Sequence, residues 1–102
     1  GNQWNRSLPT KSELHGLLSS ARRRQLLDVL AENSAPLALQ ELARAIAERD
    51  DTEDEIDSIT INLRHNHLPR IEEAGLIHYK HESDRVDAVH QAVTNRDLEV
   101  SF

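Results

Sequence analysis

The stretch His67-Leu68-Pro69-Arg70-Ile71-Glu72-Glu73-Ala74-Gly75-Leu76-Ile77 holds the end of a helix, a stop and the start of a strand. Read backwards, Leu68, Ile71 and Ala74 extend an apolar stripe laid down by Ile56, Ile59, Leu63 and His67. That spacing is one face of a helix running from about residue 56 to 74. Pro69 has no N–H to give the His65 carbonyl, and because the stripe persists on both sides of it, a bend is expected rather than a break. Gly75 is the natural C-cap. Read forwards, Leu76 to His81 and Arg85 to His90 flank the turn Glu82-Ser83-Asp84, which predicts a hairpin with Ile77, Tyr79, Val86 and Ala88 facing inward. One local rival stays open, since Ile59, Thr60 and Ile61 are β-branched and can begin as a strand.

Upstream, the pattern is helical with one interruption. Residues 1–10 lack periodicity and form an arm. Trp4 in it is either flexible or laid on a neighbour, and Thr10 or Ser12 is placed to cap a first helix, Lys11 to Leu18, with Leu14, Leu17 and Leu18 on one face. Ser19 and Ser20 offer a fresh cap before Ala21 to Glu32, where Leu26, Leu27 and Leu30 recur at helical spacing. Asn33, Ser34 and Pro36 break that helix. Leu37 to Leu39 can then be extended before a third helix, Gln40 to Arg49, with Leu42, Ala43, Ile46 and Ala47 as its stripe. Asp50 to Glu55 carries five acids in six residues and reads as a solvated lead into the fourth helix. Residues 91–102 predict a short helix ending near Leu98 or a dimer contact. The expected core is Leu26, Leu30, Leu42, Ile46, Leu63, Leu68, Ile71 and Ile77.

Composition narrows the function classes. The chain has 102 residues, 37% of them apolar, room for one small domain, and no apolar run long enough to span a bilayer. With no cysteine, disulfides, thiolate zinc sites and thiol redox chemistry are excluded, and a cytoplasmic location is expected. There is no methionine, not even at position 1, so a processed or excised chain is expected. Eighteen acids face ten arginines and only two lysines, Lys11 and Lys80, for a net charge of −6. Abundant acid with scarce lysine suggests a salt-loving organism, because carboxylates hold hydration shells in concentrated salt while like-charge repulsion is screened. Under that reading acidity argues only weakly against a nucleic-acid partner.

The order helix, helix, short extended segment, helix, longer helix, glycine, hairpin resembles a winged helix-turn-helix domain, mainly α with a small β-hairpin wing, over about residues 11–90. The quoted stretch resembles the recognition-helix end of winged-helix regulators, where an Ala-Gly-Leu-Ile segment leads into the wing. Together with Leu17-Leu18-Ser19-Ser20-Ala21-Arg22-Arg23-Arg24, Leu42-Ala43-Arg44-Ala45-Ile46-Ala47 and His65-Asn66-His67-Leu68-Pro69, it resembles a winged-helix family abundant in halophilic archaea. That family is largely known as predicted DNA-binding domains, so the resemblance implies a fold and a transcriptional regulator. Arg64 stands where the family commonly carries an aromatic residue.

Several constellations bear on chemistry. Asn62, His65 and Asn66 share the polar face of the fourth helix and suit hydrogen bonding to base edges in a major groove, or else form a merely solvated face. Arg64 and Arg70 flank them as candidate phosphate contacts, and no acid occurs from Ile59 to Ile71. Arg22, Arg23 and Arg24 occupy the first turn of a helix, where the macrodipole disfavours cations. Either they are paired internally, Arg24 with Asp28 and Arg23 with Glu72 or Glu73, or they contact phosphate. His65 and His67 point about 200° apart on a helix, and His78 and His81 lie on opposite faces of a strand, so neither pair chelates a metal. A site across elements using His67, His78 or His81 with a carboxylate stays open. No nucleophile elbow, phosphate loop or acid/base pair is present, so neither an enzyme nor a cofactor is expected.

The leading expectation is a sequence-specific regulator binding double-stranded DNA. Helix 56–74 enters the major groove, and Lys80 and Arg85 of the wing, residues 76–90, touch phosphate or the minor groove. A homodimer is expected because so small a domain offers few base contacts, with Trp4, Leu8, Leu14, Leu98, Val100 and Phe102 as the apolar terminal residues available for contact. The alternative is a winged-helix adaptor that binds protein and not DNA.

Overall fold

In a computed structural model that describes residues 9–50 and 55–96, the first helix is fixed by its cap. Thr10 Oγ1 accepts the Glu13 N–H at 3.1 Å and Glu13 Oε1 accepts the Thr10 N–H at 2.9 Å, a reciprocal capping box that starts α1, Lys11–Leu18. Ser20 caps α2, Ala21–Glu32, by accepting the Arg23 N–H. A two-residue strand β1, Leu37–Ala38, precedes α3, Leu39–Asp50. Next come α4, Ile56–Asn62, a π-helical turn, Leu63–His67, and α5, Leu68–Glu73, in unbroken succession. The hairpin is β2, Ile77–Lys80, and β3, Arg85–Val89, followed by α6, Gln91–Thr94. The chain is mainly α with a small three-stranded antiparallel sheet ordered β1-β3-β2.

The interruption at Pro69 takes a definite form. The Leu68 N–H bonds to the Leu63 carbonyl, an i to i+5 closure, so the turn before the proline is widened and helical direction survives without the bond Pro69 cannot make. The expected bend is therefore a π turn, and Ile59, Thr60 and Ile61 are helical, not extended. At the far end, Gly75 has φ 84°, its N–H bonds to the Glu72 carbonyl, and the Leu76 N–H bonds to the Ile71 carbonyl. This is a Schellman cap, and the accompanying contact is supplied by Ile71 and Leu76, both fully buried.

One core joins all the elements. Leu26, Leu30, Leu42, Ile46, Leu63, Leu68, Ile71 and Ile77 are all buried in it, as their spacing predicts. Three assignments are corrected. Leu14, expected among the apolar residues available for a dimer contact, lies in this core; the short helix expected in the C-terminal segment is present as α6, and its Ala92 and Val93 pack there too. Ile56 is 40% exposed and leaves the inward stripe. On β3, Tyr79 pairs with Val86 and His78 with Ala88, so Asp87 is the extra residue of a bulge. The bulge shifts the side-chain parity, setting Ala88 opposite exposed His78 and turning Val89 onto the core instead.

Candidate nucleic-acid interface

The outer side of α4, the π turn and α5 exposes Ile61, Asn62, Arg64, His65 and Arg70, with Asn66 half-buried beside them. Burial of Ile59, Leu63, His67, Leu68 and Ile71 on the inner side holds this face outward. The Arg70 Nε–H donates to Asn66 Oδ1 at 2.7 Å, so of the three expected base readers Asn66 is already engaged within the helix. Among the described residues no hydrogen bond occupies the side chains of Asn62 or His65. Ile61, 60% exposed, places an apolar group next to Asn62.

The cations around this face bring their own counterions. Arg64 Nε lies 3.4 Å from Asp84 Oδ1 in the hairpin turn, Lys80 Nζ lies 3.2 Å from Asp87 Oδ2, and Arg85 Nε lies 2.7 Å from Asp87 Oδ1. Those two bonds, Arg85 first, hold the Asp87 carboxyl below its usual range. Asp84 ties the hairpin to two helices. Its carboxylate also accepts the Tyr79 hydroxyl at 2.9 Å, and its carbonyl accepts the first N–H of α3, from Leu39, at 2.9 Å. Burial, then this bond to an anion, push the Tyr79 hydroxyl up to about 12. Neither aspartate was singled out from sequence. The αL turn conformation at Asp84, φ 47°, and the bulge at Asp87 aim these carboxylates, and neither is readable from residue spacing.

Arg23 and Arg24 are compensated, but not by the carboxylates expected. Arg23 Nε donates to the Leu17 carbonyl at 2.8 Å and Arg23 Nη2 to the Gly16 carbonyl at 3.1 Å, while Arg24 Nη1 bonds to the Leu18 carbonyl. These are last-turn carbonyls of α1, the negative end of its dipole, and they offset the penalty of cations at the start of α2. Asp28 pairs instead with Arg96, at 2.8 Å.

His67 lies behind the outer face, 5% exposed, with Nδ1 accepting from Arg23 Nη1 at 3.4 Å. Burial and the charges of Arg23, Arg22 and Arg70 lower its pKa to about 4, so it is a neutral core group. His81 faces Glu72 at 3.7 Å, and among the described residues no group of three or more His, Asp or Glu side chains is placed to hold a metal ion. No helix among them is long and apolar enough to cross a membrane.

Comparison with known proteins adds one relation. Residues 15–87 match the family model described as a domain of unknown function, DUF7344. No curated protein and no solved structure matches the chain. The matched span runs from α1 through the bulge of β3, taking in the exposed helix face and both aspartates that hold its cations. The chain belongs to the DUF7344 family.

Proposed function

We propose that this chain is a winged helix-turn-helix protein that binds double-stranded DNA and regulates transcription, in the cytoplasm of a salt-loving cell. The observation that carries the reading is the acid-free outer face from Ile61 to Arg70, in a chain whose net charge is −6. Asn62 and His65 supply directed hydrogen bonds to base edges, and Ile61 adds apolar contact of the kind a thymine methyl takes. Arg64 and Arg70, with Lys80 and Arg85 of the hairpin, supply charge to phosphates. Two copies reading two half-sites give such a small domain adequate specificity, and Trp4, Leu8, Leu98, Val100 and Phe102, outside the described residues, are the apolar groups available to join them.

Selection from a random duplex pool in molar potassium chloride tests the reading. A consensus should emerge. Asn62→Ala or His65→Ala should alter preference at particular positions, while Arg70→Ala should weaken all selected sites alike. If no sequence is enriched, recognition by this face is refuted. A specific observation favours a second reading, a protein-binding adaptor: Arg64, Lys80 and Arg85 are each neutralised by an aspartate, and Ile56 and Ile61 are exposed on α4. Under that reading the pool yields no consensus, and Ile61→Asp rather than Arg70→Ala abolishes partner capture.

A further inference from the structure

A second place in the fold brings together two arginines whose side-chain bonds, among the described residues, go to neutral acceptors. Arg49, Arg64, Arg85, Arg96 and Lys80 each have an acidic partner. Arg23 and Arg70 are bonded only to neutral acceptors among the described residues, namely two backbone carbonyls, the His67 ring and the Asn66 amide oxygen. Both line one cleft of about 360 Å³, with Gly16 and Leu17 of α1. A guanidinium carries five N–H donors. Three from Arg23 and one from Arg70 are used, which leaves several without an acceptor among the described residues.

We propose that this cleft seats one phosphate-type oxyanion group between Arg23 and Arg70. Two forked donors of fixed shape lining one opening suit the tetrahedral oxygens of a phosphate. The two guanidinia also repel one another: burial and the charge of Arg70 lower the pKa of Arg23, and an anion between them relieves that repulsion. Glu13 and Glu73 line the same cleft, and Glu13 Oε1 is already occupied by the Thr10 N–H. Two carboxylates beside two guanidinia limit the seat to a single phosphate monoester or diester, excluding polyphosphates. At Gly16 an added Cβ meets nothing within 4 Å, so a side chain there enters open space. The oxyanion has two sources, a backbone phosphate of DNA or a free phosphorylated ligand, and the seat does not depend on the DNA reading.

The test is titration of the full chain with inorganic phosphate in molar potassium chloride, following the arginine Nε–Hε resonances. Arg23 and Arg70 should move together with a single Kd. Arg70→Gln, by loss of a charge-assisted contact, and Gly16→Asp, by adding a competing carboxylate at the cleft, should each weaken binding roughly tenfold or more, whereas Arg96→Gln should leave it unchanged. Gly16→Asp keeps both arginines, so its effect reads the cleft itself. Displacement of phosphate by duplex DNA identifies the backbone as the source; retention of phosphate on the DNA-saturated protein identifies a free ligand. Absence of any phosphate-dependent movement, or an identical response in Arg70→Gln, overturns the seat while leaving the pool selection unaffected.

Discussion

At the scale of residues, His67 shows how a titratable group serves as core. Its folded pKa of about 4 lies below the ordinary 6.5, so the unfolded chain binds the proton more tightly. Stability from this group is therefore complete above about pH 6.5, falls as pH drops, and levels off below about 4. The integrated loss is about 3 kcal/mol. Glu13, Glu32 and Asp87, whose pKa values are lowered, begin to lose their contributions as pH falls through the ordinary carboxylate range. Urea unfolding of the native chain and of His67→Gln across pH 7 to 4 separates the two: the difference between the curves should shrink toward low pH, and a constant difference would contradict the assignment. Asp84 is the second residue of consequence. Asp84→Ala removes the acceptor of the Tyr79 hydroxyl and the partner of Arg64, and should cost about 1 to 2 kcal/mol in the same measurement. Sequence reading picked out the exposed Asn62 and His65, because period alone assigns them to the outer face. It missed Asp84 and Asp87, whose directions depend on backbone geometry in a four-residue turn and a bulge.

At the scale of elements, local chemistry was the most readable. The caps at Thr10, Ser20 and Gly75 follow from residue type over three or four positions, and each takes the role that type suggests. Gly75→Ala should cost about 1 kcal/mol or more, since an alanine is strained at φ 84°; a change within about 0.3 kcal/mol would show that the cap relaxes. Pro69 announced an interruption, but its form was not legible. Whether a helix bends or widens by an i to i+5 closure depends on which register keeps both His67 and Leu68 buried, and that is settled by what α2, α3 and the sheet present to them. The arginines of α2 carry the same lesson. Their anomaly at a helix start was visible, while the partner that resolves it, the end of α1, became visible only once the two helices were packed.

At the scale of the whole molecule, charge links stability to function. A net charge of −6 leaves repulsion that concentrated salt screens, since the Debye length falls from roughly 10 Å at 0.1 M to about 3 Å at 1 M. The melting temperature should accordingly rise from 0.1 M toward molar potassium chloride, and a maximum in dilute buffer would remove the salt-loving reading. DNA affinity should fall with salt less steeply than the number of flanking cations implies. Under the proposed DNA reading, Arg64, Lys80 and Arg85 would each leave an aspartate on turning to phosphate, and the freed carboxylates would take up cations that offset counterion release. The measurement closest to the central claim is a titration of duplex DNA carrying the selected site at about 0.1 M and again at molar potassium chloride. We predict saturable binding that persists at the higher concentration and is weakened by Arg70→Ala at both. Absence of binding at either concentration, with the protein folded, would contradict recognition of DNA by this helix face.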